Sequence, residues 1–189
     1  MKLKILFLLT GLAAMLQVQA QESYKVSKDA DGNKVIVGQM DMQQLANDSA
    51  FSWFYTGVNK YKPNQQLIKY ISAYRDSFDV VVFAGTWCLD TRQWLPPFYR
   101  VMMASSYPMD RIHLYGVDHD LHALNDEAQN YHVTKTPTFL FLRKGKEIGR
   151  IEEQPKSTSI ESDIVSIIDK MVTEESKKGT QANNPTAGQ

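Results

Sequence analysis

The 189-residue sequence holds a single cysteine, Cys88. Lacking a second thiol, the chain builds neither an internal disulfide nor a cysteine-ligated zinc cluster. Charge of one sign is missing too. Lys plus Arg and Asp plus Glu number 21 each, so no basic excess points to nucleic acid and no acidic excess to a solvating tail. There is no glycine-rich phosphate loop, no Ser/His/Asp set in a workable order and no internal repeat, and no cofactor is expected. His113, His119, His122 and His132 lie close together in the chain, but they straddle a strand end and a helix start. Zinc needs a tetrahedral set, so these read as a solvated loop and no metal is expected. What is present, 43% hydrophobic and 22% charged residues, suits one globular domain with a modest appendage.

Lys2 and Lys4 precede an apolar run from Ile5 to Leu16, interrupted by Thr10 and Gly11, and Gln17-Val18-Gln19-Ala20 follows. A charged start, a run too short to span a bilayer comfortably and a small-residue site after Ala20 read as a secretory signal peptide over residues 1–20. An N-terminal membrane anchor is the alternative. No cysteine follows the run, which excludes a lipoprotein-type attachment. The expected mature chain is slightly acidic, carries no membrane span and is periplasmic or secreted. In an oxidising compartment paired cysteines are the norm, so an unpaired Cys88 stands out.

Asp29-Ala30-Asp31-Gly32-Asn33 is turn chemistry, and Val35-Ile36-Val37 after it reads as a short strand. Residues 40–62 hold Phe51, Trp53, Phe54, Tyr55 and Tyr61 and read as mostly helical. Because no polar residues converge among these aromatics, they suit a packing face of an N-terminal extension over residues 21–62 better than a ligand groove. Pro63 opens a helix with Leu67, Ile68, Ile71 and Tyr74 on one face, ending near Asp76. Asp79 to Gly85 is a continuous apolar run, a strand buried on both faces. Arg92 to Met103 is helical apart from Pro96 and Pro97, which predict a kink. A strand over 111–117, a helix over 121–131, a strand over 138–142 and a hairpin partner over 147–151 follow. Thr158 with Glu161 predicts a capping box for an amphipathic helix through Ile160, Ile164, Ile167, Ile168 and Met171. From Thr173 to residue 189 the sequence loses periodicity and reads as a disordered tail.

The order of strand, Trp87-Cys88, proline-bearing helix, strand, helix, Thr136-Pro137-Thr138, hairpin and terminal helix resembles the thioredoxin-like superfamily over residues 63–172. Gly85-Thr86-Trp87-Cys88, Asp90, Pro96 and Glu147-Ile148-Gly149-Arg150-Ile151 are similar to a group of exported thioredoxin-like proteins common in the Bacteroidetes. The resemblance implies an α/β fold, a central mixed sheet flanked by helices, here with the N-terminal extension. It also implies a cis Thr136–Pro137 bond in a loop facing the sulfur, where a partner chain lies extended.

The redox motif departs from the family's. Cys88-Leu89-Asp90-Thr91 puts Thr91 where the resolving cysteine would stand, Val82 replaces a buried acid, and the charge of Asp90 opposes the thiolate that a helix N-terminus favours. Dithiol disulfide reduction is therefore out of reach. Cys88 is either a nucleophile that forms mixed disulfides or a small buried hydrophobe left from a lost site. Thr91 either donates a hydrogen bond to the Cys88 thiolate or caps the helix, and Trp87 is either a platform beside the sulfur or a packing residue. Asp90 is either a local acid or base or a charge placed for the helix dipole. Three functions fit these residues. The first is a monothiol thiol–disulfide oxidoreductase or mixed-disulfide-forming protein in cell-envelope redox homeostasis, acting on an extended polypeptide or a small thiol or disulfide through Cys88 and Thr91, with Trp87, Asp90, Thr136 and Pro137 at the substrate. The second is a non-catalytic peptide-binding module. The third is a thiol peroxidase, weakened because no helper Gln and Trp motifs are recognisable.

Cleavage after Ala20 has a direct check. The intact mass of exported material is expected to correspond to a chain beginning at Gln21; a mass retaining residues 1–20 in a membrane fraction would replace the secreted reading with an anchored one.

Overall fold

The computed structural model describes residues 23–182. The expected signal peptide and the last seven residues of the expected tail lie outside the described residues. Six strands form one mixed sheet in the order β1-β2-β4-β3-β5-β6. They are β1 (Tyr24–Lys28), β2 (Lys34–Met40), β3 (Asp79–Ala84), β4 (Ile112–Gly116), β5 (Thr138–Arg143) and β6 (Lys146–Glu152). Only β3 and β4 run parallel, with Val82 opposite Leu114; the other pairs are antiparallel, and Val82 stands opposite Phe139 on β5. Helices cover the sheet: α1 (Met42–Asn47), α2 (Ser52–Lys60), α3 (Gln65–Ala73), α4 (Leu89–Ala104), α5 (Glu127–Asn130) and α6 (Ile160–Ala182).

The β3 run works because strand side chains alternate faces. Val80, Val82 and Ala84 enter the larger core, with Phe54, Ile71, Leu95, Phe98, Phe141 and Ile164. Val81 and Phe83 enter a smaller one on the opposite face, with Val117, Ala123, Ala128 and Leu140. In the aromatic stretch Phe51 and Phe54 are buried, and Phe54 meets Tyr99 of α4 edge-on with centroids 5.4 Å apart, while Tyr55 is 62% exposed. Helix α4 continues through Pro96 and Pro97, and starts at Leu89, three residues before the expected position. Its surface at Pro96 takes α2 at very close range. A Cβ on Gly57 would lie 2.6 Å from Pro96 Cβ, so only glycine fits there.

Four expectations change. β1, which pairs along β2, has no apolar alternation and leaves Val26 half exposed, so no signal marked it. The helix expected over 121–131 shrinks to the single turn of α5. Asp118 Oδ1 accepts from the backbone N–H of Asp120 (3.0 Å) and His122 (2.8 Å), and Leu121 sits at φ +63°, so a side-chain-built turn replaces helical bonds there. The Thr158–Glu161 capping box is absent. Ser159 supplies the cap, its Oγ accepting from Ser162 N–H at 3.3 Å, while Glu161 turns inward. Finally, α6 runs on to Ala182, past Thr173 where the irregular tail was expected to begin. Its outer end is polar, so the apolar periodicity that predicted the helix stops before the helix does.

Glu161 is almost fully buried at 3% exposed, and its two oxygens accept from Tyr61 Oη (2.7 Å) and from Asn64 N–H (3.0 Å). Asn64 in turn caps α3, its Oδ1 accepting from Gln66 and Leu67 N–H. One carboxylate thus joins α6 to the connection between α2 and α3.

Glu161→Ala is expected to cost about 2–4 kcal/mol in urea unfolding, because two inward-facing donors lose their acceptor. Burial and the neighbouring Glu161 also push the Tyr61 phenol above its ordinary 10.0, and burial does the same to Tyr99 and Tyr107. A raised folded-state value favours the neutral phenol in the folded state. That stability is complete below pH 10 and is lost as pH rises through the folded-state values. Melting at about pH 11 is therefore expected well below melting at about pH 9, with Tyr61→Phe reducing the difference.

Candidate functional site

β3 ends at Ala84, and Gly85-Thr86-Trp87 carries the chain out of the sheet into α4. Cys88 is the N-cap of α4, with extended backbone (φ −74°, ψ 134°); its N–H donates to Gly85 O at 2.9 Å and its carbonyl accepts the first helical bond, from Arg92. The sulfur makes no capping bond to the first turn, although Cys88 sits at the end of the helix where the dipole is positive. It is half-buried, and it donates to Thr136 O at 3.3 Å.

Thr136 is the hub. Its carbonyl faces the sulfur, while its Oγ1 accepts from Gly85 N–H at 2.7 Å and lies 3.4 Å from Thr91 Oγ1. The Thr136–Pro137 bond is cis, and Pro137 O accepts from Glu153 N–H at 2.7 Å. Thr91 is wholly buried one helical turn beyond Cys88, and its hydroxyl is engaged with Thr136 rather than with the sulfur. Asp90 lies in the first turn of α4, partly exposed. Leu89, between Cys88 and Asp90, is 76% exposed, a large apolar side chain in water at the tip of the helix. Val82 is fully buried among aliphatic and aromatic neighbours.

Trp87 is held on several sides. Its Nε1–H donates to Val117 O at 3.1 Å, a Cβ on Gly85 would lie 2.8 Å from its Cε2, and His119 stacks on it with centroids 4.0 Å apart and planes 18° apart. His119 also reaches Asp29 on the β1–β2 turn. All four histidines are exposed, as a solvated loop implies; His119 in addition stacks on Trp87, while His122 lies 3.7 Å from Asp118. Thr86 is buried too, donating from Oγ1 to Lys34 O (2.9 Å) and accepting from Ile36 N–H (3.2 Å), which pins the site loop to β2.

Cys88, Thr91, Thr136 and Pro137 thus come together from two segments, with Trp87 adjoining. Asp29, Asn33, Thr86, Arg92 and His119 are the neighbours that sequence reasoning did not assign to the site. The turn chemistry of residues 29–33 was visible, but where that turn lands depends on β1 and β2 joining the sheet.

A family model described as thioredoxin matches residues 60–166, more than half of the chain. The chain belongs to the thioredoxin family. A protein of Fusarium culmorum described as thioredoxin-like is 29% identical over 92 residues, taking in 48% of this chain and 71% of that one. Among solved structures, an HIV epitope scaffold has the same fold at 15% identity, with a TM-score of 0.53 over 69% of this chain and 93% of that one. Fasciola hepatica thioredoxin is 29% identical, with a TM-score of 0.31 over 46% of this chain and 77% of that one. β1, β2, α1 and most of α2 precede the residues matched by the thioredoxin model.

The Thr136 hydroxyl is the acceptor for a buried backbone donor, so Thr136→Val is expected to cost about 1–3 kcal/mol in urea unfolding, and Thr136→Ser markedly less.

Proposed function

We propose that this thioredoxin-family protein works as a monothiol in the cell envelope, with Cys88 forming mixed disulfides with extended polypeptides or small thiols. The Cys88 thiolate attacks a disulfide RS–SR′. A new S–S bond joins Cys88 to one half, the old bond breaks, and the other half leaves as a thiolate that takes up a proton. Because the chain has one thiol, a second, external thiol must attack the adduct to release it, returning Cys88 to the thiolate. The observation that supports this reading is the place of Sγ: half-buried at the N-cap of α4, 3.3 Å from the Thr136 carbonyl. The position suits a reactive sulfur more than a leftover core residue, because a helix start stabilises negative charge and Cys88 is not fully buried. Thr91 Oγ1, buried where the second sulfur of the paired motif would stand, supports the single-thiol form.

The competing reading is a binding module that keeps the groove beside Pro137 without chemistry. Alkylation separates the two. Cys88 is expected to react with iodoacetamide at neutral pH in the folded protein and to form a stable adduct with oxidised glutathione, while insulin reduction stays negligible. Thr91→Cys is expected to restore measurable reductase activity. An inert Cys88 together with an inactive Thr91→Cys variant overturns the redox reading in favour of the binding module.

A further inference from the structure

Three observations converge beside the sulfur. First, the β1–β2 turn is unusually well held for an exposed hairpin. Asp29 Oδ1 accepts from Asp31 N–H (3.0 Å) and Asn33 N–H (2.8 Å), and Oδ2 accepts from Asn33 Nδ2 (3.0 Å). Only 8% of the Asp29 side chain is exposed. Second, the turn is braced against α4: Arg92 Nη2, four residues past Cys88, donates to Asn33 Oδ1 at 3.1 Å. Third, the remaining capacity of Asp29 Oδ2 goes to His119 Nε2 at 3.2 Å, and the His119 ring lies flat on Trp87. The bonds from Asn33 above all hold the Asp29 carboxyl below its ordinary range, so it stays an ionised acceptor for His119. These contacts close a circuit that leaves Cys88 through Trp87, His119, Asp29 and Asn33 and returns through Arg92 to α4.

We propose that Asp29 and His119 are positioning residues. His119, anchored by Asp29, fixes the plane of the Trp87 indole and so shapes the wall beside Cys88 against which an extended partner chain is seated. The inference rests on the mixed-disulfide reading for its consequence, but the stacking itself does not depend on that reading.

Gly85 crowds one part of the indole, the Val117 carbonyl holds its N–H, and His119, its own side chain 53% exposed, lies flat on the ring. Asp29 and Asn33 lie in the part of the chain that precedes the residues matched by the thioredoxin model. The anchor of the wall is therefore contributed by the β1–β2 turn, while Trp87 and His119 lie within the matched residues. The wall acts on partners that extend along the site, and a small disulfide that meets only the sulfur does not need it. The charged groups near His119 are Asp29 on the hairpin, Asp118, Asp120 and His122 on its own loop, and Arg92 through Asn33.

The test uses the folded full chain with His119→Ala, His119→Phe and Asp29→Asn, and two readouts. Trp87 emission is isolated by subtracting the spectrum of Trp87→Phe, and removing the stacked ring opens one face of the indole to a quencher such as acrylamide. Acrylamide quenching of the Trp87 emission is expected to rise in His119→Ala and to return towards the wild-type value in His119→Phe. The rate of Cys88 with an extended peptide carrying a mixed disulfide is expected to fall about threefold to tenfold in His119→Ala, the weight of one aromatic pair, and to recover in His119→Phe. The rate with a small neutral disulfide is expected to stay within about twofold in every variant, since the wall bears on seating alone. Unchanged quenching of Trp87 emission and unchanged peptide rate in His119→Ala overturn the proposal, and so does an equal fall with both probes. Should His119→Ala fail to fold, Asp29→Asn carries the same comparison. A wild-type Cys88 inert to both disulfides overturns the redox reading instead, and the emission measurement then decides the stacking role alone.

Discussion

The burial of β3 on both faces is the constraint from which the site follows. A strand with apolar side chains in two cores has no freedom to slip by one residue, since a slip would exchange the faces and put every side chain against the wrong neighbours. With Val82 held between Leu114 and Phe139, the exit of the chain at Ala84 is fixed in height and direction. The loop that follows has three residues in which to reach the helix, so Cys88 arrives at the start of α4 with little tolerance. The antiparallel partner β5 begins at Thr138, opposite Phe83, which sets the two residues before it beside that loop. Sulfur, carbonyl and buried hydroxyls meet because adjacent strands end at the same edge.

The larger elements were legible because burial writes a period into the sequence. β3 showed as an unbroken apolar run, the β5–β6 hairpin by Lys144-Gly145 at its turn, where both residues take positive φ, and α6 by its apolar stripe. Cys88, Thr91, Thr136 and Pro137 were legible for a different reason: their order along the chain resembles a known family, and the fold brings that order together. β1 was not legible, since its side chains face water and its reason for being a strand is a ladder of backbone bonds to β2. The loop after β4 was misread as helix because apolar residues at helical spacing carry no record of Asp118 capturing the local N–H groups.

Glu161 and His119 show a second limit. Both carry side chains with an ordinary explanation in their own neighbourhood, a helix cap for one and a solvated loop for the other. The structure gives each a distant partner instead, Tyr61 and Asn64 for Glu161, Asp29 and Trp87 for His119. Spacing rules see contacts a few residues apart; contacts across the chain require the sheet order, in which β2 pairs with β4 and carries β1 on its outer side.

The Glu161 junction bears on how the chain reaches its fold. Its bonds to Tyr61 and Asn64 close loops of 100 and 97 residues. Closing a segment that long is entropically costly, and the cost is met before the contact returns anything. During synthesis the backbone donor at Asn64, just ahead of α3, waits in water until the start of α6 has left the ribosome, so the α2–α3 connection stays loose while the central strands are already available to pair. The start of α6 is in this sense a late fastening, a long-range closure of the kind that forms more slowly than the local turns of a helix.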